Sequence, residues 1–91
     1  MGKEILIAGS GFMGTAMAHA LENHNVTCFE THEAYLTTLK NLNIYKNIFS
    51  DVSDIKGKFD LIIICTRQKD VLENISYFSS KFPESLITDI S

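Results

Sequence analysis

The sequence predicts a doubly wound α/β fold, in which a parallel sheet carries helices on both faces. Two kinds of segment alternate along the 91 residues: short apolar runs of strand length, and longer stretches with apolar residues every three or four positions. The first kind is typical of strands buried on both faces of a parallel sheet, and the second of helices that pack on it. The simplest arrangement with right-handed crossovers orders five strands as 3-2-1-4-5.

The composition is that of one soluble globular domain. Apolar residues make up 45% and charged residues 21%, and one proline with five glycines leaves no room for a disordered linker. The net charge of −3 is mild, so nucleic acid is not an expected partner. The sequence contains neither a secretory signal pattern nor an apolar run of about 18 residues. We therefore expect a cytoplasmic protein without a membrane partner.

A glycine-rich loop follows the first predicted strand, Glu4–Ala8. It reads Gly9-Ser10-Gly11-Phe12-Met13-Gly14 and matches the G-x-G-x-x-G phosphate-binding pattern. The first glycine of that pattern permits a tight turn, the second lets the backbone approach a pyrophosphate, and the third lets the helix pack closely on the sheet. N–H groups and the dipole at the helix start favour an anion. An incidental glycine turn is the alternative, which the strand before the loop and the helix after it disfavour.

The first helix is predicted from residues at the spacing of one helical face: Met13, Ala16, Met17, Ala20, Leu21 and His24. The second strand, Val26–Glu30, ends in an acid about twenty residues past the start of the glycine loop, as in dinucleotide-binding domains. A Glu30 carboxylate can accept hydrogen bonds from the adenosine ribose and would repel a 2′-phosphate by about 3 kcal/mol at an effective dielectric of 20. Thr31 and His32 follow instead of an arginine, so we expect NAD rather than NADP, with Glu30 and Thr31 as candidate cofactor-binding residues beside the glycine loop. The alternative is that Glu30 only ends the strand and binds no ligand.

The middle of the chain predicts a second helix and a weak third strand. Thr31 can cap the helix, whose apolar face contains Tyr35, Leu39 and Leu42. The third strand lies around Ile48-Phe49, and a short helix or turn covers Asp51 to Ile55. These are the weakest patterns in the sequence.

The fourth strand, Phe59–Cys65, is a continuous apolar run that ends in the polar segment Thr66-Arg67-Gln68-Lys69. Loops after parallel strands line the ligand crevice of open α/β sheets, so Thr66 and Arg67 are candidate cofactor-binding residues. A solvated charged loop is equally compatible with these residues. The residues Asp70 and Glu73 match a capping box. The helix after it has an apolar face of Val71, Ile75, Phe78 and Phe82, and a fifth strand covers Leu86–Ile90.

Two cysteines, Cys28 and Cys65, fall on the second and fourth strands. The first strand separates these strands in the predicted order, which places them about 9–10 Å apart at ~4.8 Å per strand step. A disulfide needs Cα atoms within about 7 Å, so we expect two reduced, buried thiols. No further Cys or His stands at metal-ligand spacing, and no metal site is expected.

With these motifs placed, the whole chain resembles the N-terminal nucleotide-binding domain of prephenate and arogenate dehydrogenases, in the 6-phosphogluconate-dehydrogenase-like group of Rossmann-type oxidoreductases. The glycine loop is common to that group. The segments Phe29–Glu33 and Leu86–Ser91 are similar to the second-strand and fifth-strand motifs of the prephenate dehydrogenases. The family usually has a proline after the fourth strand, where this chain has Thr66-Arg67-Gln68.

The resemblance implies oxidation of prephenate or arogenate by hydride transfer to NAD, in tyrosine biosynthesis. It further implies that the catalytic histidine, the substrate-binding arginine and a helical dimerisation domain lie downstream. The 91 residues would then bind cofactor and contain no catalytic residue. Two alternatives stay open: another oxidoreductase of the group, such as a 3-hydroxyacid dehydrogenase or a pyrroline-carboxylate reductase, and a non-catalytic nucleotide-sensing regulatory module.

Overall fold

A computed structural model describes residues 2–9 and 12–90, without the side chains of Phe12, Met13, Thr15 and Gln68. The described residues form five strands: β1 (Glu4–Ala8), β2 (Asn25–Phe29), β3 (Asn47–Phe49), β4 (Leu61–Ile64) and β5 (Leu86–Asp89). They also form three α-helices: α1 (Phe12–Ala20), α2 (Glu33–Leu42) and α3 (Val71–Lys81). Two short 3-10 turns cover Val52–Asp54 and Gln68–Asp70. Across the described ranges, no helix combines the length and the apolarity that crossing a membrane requires.

The five strands form one sheet in the order β3-β2-β1-β4-β5, and every neighbouring pair is parallel. β1 lies at the centre, where Ile7 pairs with Cys28 of β2 on one side and with Ile63 of β4 on the other. The predicted Rossmann-type α/β fold and its strand order are therefore confirmed. Parallel order follows because each strand returns through a helix or turn on a face of the sheet.

The core lies on both faces of the sheet, as the apolar runs predict. Leu6 and Ala8 of β1 point to the face that α3 covers, and Ile5 and Ile7 point to the face that α1 covers. None of these four side chains is more than 3% exposed. A strand that is buried on both faces needs an unbroken apolar run instead of alternation with polar residues.

The predicted buried face of α1 is confirmed at Met17 and Leu21 and wrong at Ala16 and Ala20. The side that packs on the sheet follows the spacing i, i+3, i+4, i+7 from the third glycine: Gly14, Met17, Ala18 and Leu21. Ala16 and Ala20 are exposed, and the helix ends at Ala20 instead of His24. A helix that lies close to a strand needs its smallest residues at the contact, and an apolar pattern that counts alanine alone does not select glycine.

The predicted helix caps are also wrong. The N-cap of α2 is His32 instead of the predicted Thr31, and its side chain makes no capping hydrogen bond. Thr31 is exposed. Asp70 before α3 has φ −99° and ψ −5°, so it is already helical, whereas a capping side chain needs an extended backbone at that position. The face of α2 is buried only at Leu39, while Tyr35 and Leu42 are 49% and 40% exposed. The face of α3 is confirmed, with Val71, Phe78 and Phe82 buried and Ile75 packed against them.

Candidate functional site

A cleft of about 440 Å³ opens where β1, β2 and β4 end. Gly9 lines it after β1, residues 30–32 and Tyr35 line it after β2, and residues 65–67 and Asp70 line it after β4. The carboxyl ends of neighbouring parallel strands meet at one edge, where open α/β sheets bind ligands. The cleft therefore brings together the candidate residues Gly9, Glu30, Thr31, Thr66 and Arg67. The candidates Ser10 and Gly11 lie outside the described residues.

The turn out of β1 depends on glycine at position 9. Gly9 has a φ of +93°, which side chains disfavour, and its N–H donates to the Phe29 carbonyl at 2.8 Å. A Cβ on Gly9 would lie 3.0 Å from the Cys65 carbonyl carbon and from the backbone nitrogen of Thr66. The backbone is thus bent tightly against the end of β4, and a side chain here would push the two strand ends apart.

Gly14 allows α1 to start directly behind this turn. A Cβ on Gly14 would overlap the carbonyl oxygen of Gly9, so the helix lies on the backbone of the turn. Phe12 and Met13 form the first two positions of α1. The backbone N–H groups of the first helical turn have no partner within the helix and are the groups that bind anions at such a position.

We expect Gly14→Val to lower the free energy of unfolding by about 2–3 kcal/mol, because the added carbons meet backbone that cannot move aside. Ala16→Val is the matched control, since Ala16 is exposed on the same helix. There the substitution should cost only the lower helix propensity of valine, about 0.5 kcal/mol. Urea unfolding followed by circular dichroism measures both. Equal losses in the two variants would show that α1 does not lie as close to the Gly9 turn as described.

Glu30 forms a fixed wall of the cleft immediately after β2. The residue is 9% exposed, and its backbone N–H donates to the Phe49 carbonyl of β3 at 2.9 Å. One carboxylate oxygen, Oε2, accepts the backbone N–H of His32 at 2.9 Å. These contacts hold an anionic hydrogen-bond acceptor at the cleft. Such a group binds a hydroxyl donor and repels a second anion.

Thr66 and Arg67 form the opposite wall after β4. The Thr66 hydroxyl accepts a hydrogen bond from the Asn74 side-chain amide at 3.2 Å, which connects the loop to α3. The Arg67 side chain is 75% exposed, and its Nε lies 3.5 Å from Asp70 Oδ2. The Arg67 guanidinium therefore lies at the cleft and has Asp70 as an ion-pair partner on one edge. Asp70, predicted to cap α3, instead lines the cleft and pairs with this arginine.

The structure adds an aromatic pair that was not among the candidate residues. The rings of His32 and Tyr35 stack with centroids 4.7 Å apart and planes at 27°, and both residues line the cleft. The sequence contained a signal for them. Residues three apart at the start of a helix lie side by side, and this helix starts three residues after Glu30. In the described part of the chain, no three His, Cys, Asp or Glu side chains group closely enough to hold a metal ion.

Neither cysteine forms a disulfide, and only Cys28 is fully buried. Cys65 is partly exposed, lies one residue past β4 and lines the cleft, which corrects the expectation that both thiols are buried. The reason is that β4 ends at Ile64, so Cys65 belongs to the cleft wall instead of the sheet interior. Loss of solvent contact raises the pKa of the Cys65 thiol from 9.0 to about 11.

We therefore expect Cys65 to be a slow target for alkylation. A pKa of about 11 instead of 9.0 leaves about a hundredfold less thiolate at pH 8, and the reaction should speed up as the pH approaches 11. Iodoacetamide labelling followed by peptide mass spectrometry measures the rate, with Cys28 as the internal reference for a buried thiol. Labelling of Cys65 at the rate of a free thiol at pH 8 would contradict the raised pKa.

No protein-family model and no curated protein matches the sequence. Solved structures match the fold. The prephenate dehydrogenase of A. aeolicus, in complex with hydroxyphenyl propionate and NAD+, aligns with 98% of this chain at a TM-score of 0.87 and 17% identity. The arogenate dehydrogenase of Synechocystis aligns with 97% at 0.83 and 18% identity. A Bacteroides fragilis protein described as an NADP oxidoreductase aligns with 99% at 0.80 and 17% identity.

The alignments cover nearly all of this chain but only part of the others. The chain corresponds to 33%, 32% and 36% of the length of those three structures. The TM-scores of 0.80–0.87 establish the shared fold, whereas identities of 17–18% say nothing about the chemistry, which has to be argued from the residues of the cleft. The chain therefore shares the Rossmann-type fold of these dehydrogenase structures over essentially its whole length, in line with the resemblance of its motifs.

Proposed function

We propose that these 91 residues form the NAD-binding domain of a dehydrogenase that oxidises prephenate or arogenate. The observation that carries the cofactor assignment is the Glu30 carboxylate, which lines the same cleft as the Gly9 turn. A dinucleotide needs a backbone turn that lets its pyrophosphate approach a helix start and an acceptor for its adenosine ribose. Gly9 and Glu30 come from the ends of adjacent strands and supply these two groups.

The same carboxylate supports NAD over NADP. Glu30 is 9% exposed and is held by the His32 N–H, so it cannot easily turn away from a 2′-phosphate. The cation on the cleft wall, Arg67, follows β4 instead of β2 and already pairs with Asp70. A 2′-phosphate would therefore meet a fixed negative charge at the position where NADP-binding domains place an arginine.

The substrate assignment rests on the resemblance of the motifs and on the fold shared with prephenate and arogenate dehydrogenases. The chain spans about a third of those structures, so in this proposal the substrate-binding and catalytic groups come from a further domain. A nucleotide-binding domain orients the cofactor, and a second element must bring the substrate carbon to it. The intact protein would be a cytoplasmic homodimer that dimerises through that domain.

Calorimetric titration of the chain with NAD and with NADP tests the proposal. We expect binding of NAD and weaker binding of NADP. A clear preference for NADP would overturn the cofactor assignment, and no binding of either would overturn the proposed function. Formation of NADH with prephenate or arogenate should require the longer protein, so turnover by the 91-residue chain would refute the two-domain part of the proposal.

A further inference from the structure

We propose that Asn74, which lies on α3 outside the cleft, positions the phosphate-binding turn at Gly9 by holding the side chain of Thr66. Asn74 is thus a positioning residue, which affects nucleotide affinity without touching the nucleotide. This inference rests on the proposed function, because that function places the pyrophosphate at the Gly9 turn. Thr66 transmits the effect, since it contacts Asn74 on one side and the turn on the other.

The Asn74 side chain bridges the start of α3 and the loop after β4. Its amide nitrogen, Nδ2, donates to the backbone carbonyl of Asp70 at 2.8 Å and to the Thr66 hydroxyl at 3.2 Å. A carbonyl oxygen can only accept, so the contact with Asp70 determines which end of the amide is the nitrogen. One hydrogen of that nitrogen goes to the carbonyl and the other to the hydroxyl. Both contacts are partly buried, so water competes with them less than at the surface.

Thr66 presents a different group on each side. Its hydroxyl contacts Asn74, and its methyl carbon, Cγ2, lies against the turn out of β1, because a Cβ on Gly9 would be 3.0 Å from it. Two heavy atoms on the β-carbon make the χ1 angle of threonine stiff, so a contact that fixes the hydroxyl also fixes the methyl group. The Asn74 amide therefore selects the rotamer in which the methyl group of Thr66 faces Gly9.

The Gly9 turn has little room to absorb a movement of Thr66. The same Cβ would also lie 3.0 Å from the backbone nitrogen of Thr66 and from the Cys65 carbonyl carbon, so the loop contacts the turn with side chain and backbone together. The Gly9 N–H is held by the Phe29 carbonyl at 2.8 Å. A rotation of Thr66 therefore shifts the turn that receives the phosphates. Affinity depends on such preorganisation, because a displaced turn must be reordered when the ligand binds.

Amide hydrogen exchange of the unliganded chain, followed by NMR, tests the positioning without any ligand. Asn74→Leu keeps a similar volume and removes the amide. We expect it to speed exchange of the Gly9 N–H about fivefold, the equivalent of one neutral hydrogen bond. The Glu30 N–H, which donates to the Phe49 carbonyl, is the internal reference and should not change. Ser76→Ala is the matched control, because Ser76 is exposed on the same helix.

Two ligands test the effect on binding, ADP-ribose by calorimetry and adenosine by NMR titration. Both contain the ribose assigned to Glu30, but only ADP-ribose contains the pyrophosphate. We expect Asn74→Leu to bind ADP-ribose about fivefold more weakly and to bind adenosine within about twofold of the unmodified chain. A general disturbance of the fold would weaken both ligands equally, so the difference between them separates positioning from a structural effect.

A double-mutant cycle determines whether Asn74 acts through Thr66. Thr66→Val keeps the shape and a methyl group but removes the acceptor for the amide. In that background, Asn74→Leu should change the affinity for ADP-ribose by less than about twofold, because the contact is already absent. Asn74→Ala repeats each measurement with the residue of highest helix propensity, so that a folding defect of the leucine variant does not decide the result.

The outcomes distinguish this inference from the proposed function. If both Asn74 variants leave Gly9 exchange and ADP-ribose affinity unchanged, the inference is overturned and the NAD-binding function stands. Equal weakening of adenosine and ADP-ribose, or an equal loss in the Thr66→Val background, also overturns it. If the unmodified chain binds neither NAD nor ADP-ribose, the proposed function fails, whereas the exchange rate of Gly9 still decides whether Asn74 positions the turn.

Discussion

Replacing Glu30 with glutamine is expected to shift the preference between NAD and NADP by about a hundredfold towards NADP. Glutamine can still accept the His32 N–H through its amide oxygen, so the local contact is kept. The change removes a repulsion of about 3 kcal/mol between unit charges 5–6 Å apart at a dielectric of 20. It also weakens the hydrogen bond to the ribose, because a neutral acceptor is weaker than a carboxylate. A free-energy difference of about 1.4 kcal/mol changes the affinity tenfold, so about 3 kcal/mol corresponds to slightly more than a hundredfold. The expected hundredfold shift leaves room for a small loss to solvent screening.

The control for this experiment is Glu33→Gln. Glu33 is the first residue of α2, three residues from Glu30, and is exposed outside the cleft. This substitution removes one negative charge but leaves the Glu30 carboxylate in the cleft, so the ratio of NAD to NADP affinity should change less than about threefold. The titrations are compared at about 0.15 M salt, where the Debye length is about 8 Å. An equal shift in both variants would mean that overall charge, instead of a contact at Glu30, sets the preference.

Replacing Phe78 with alanine is expected to cost about 3–5 kcal/mol of the free energy of unfolding. Phe78 lies in the second half of α3 and is 0% exposed. Its ring packs edge-on against Phe29 of β2 at 6.3 Å and parallel to Phe82 at 6.3 Å. A domain of this length has a total stability of about 5–14 kcal/mol, so the loss is a large part of it.

Leu72→Ala provides the comparison within the same helix. Leu72 is 80% exposed, so its truncation should change the stability by less than about 0.5 kcal/mol. Urea unfolding monitored by circular dichroism gives both values under the same conditions. A large loss for Leu72 or a small one for Phe78 would show that α3 packs on the sheet through a different face.

The strands could be predicted because their signal is local. β1 and β4 are continuous apolar runs, and only burial on both faces of a parallel sheet accommodates such runs. The strand order then followed from the right-handed crossover rule, without reference to any contact. The face of α3 was predicted for a similar reason, since Val71, Ile75 and Phe78 are large and repeat at helical spacing.

The errors have a common physical cause, which is that they concern distances between elements. The buried face of α1 depends on how closely the helix approaches the Gly9 turn, and Gly14 is chosen for its lack of a side chain. The predicted cap at Asp70 fails because a 3-10 turn precedes α3 and directs that carboxylate to Arg67. The turn before α3 leaves no periodic pattern in the sequence, and the face of α1 shows one only when Gly14 is counted as a contact residue.

The sequence by itself determined the type of fold and the groups most suited to a dinucleotide, because Gly9 and Glu30 each follow a strand at a defined spacing. Only the tertiary structure showed that His32 and Tyr35 join them and the predicted Thr66 and Arg67. His32 and Tyr35 lie more than thirty residues from Arg67 in the sequence, yet all three line one cleft. The reason is that β1 pairs with both β2 and β4, so the segments after these strands meet at the same edge of the sheet.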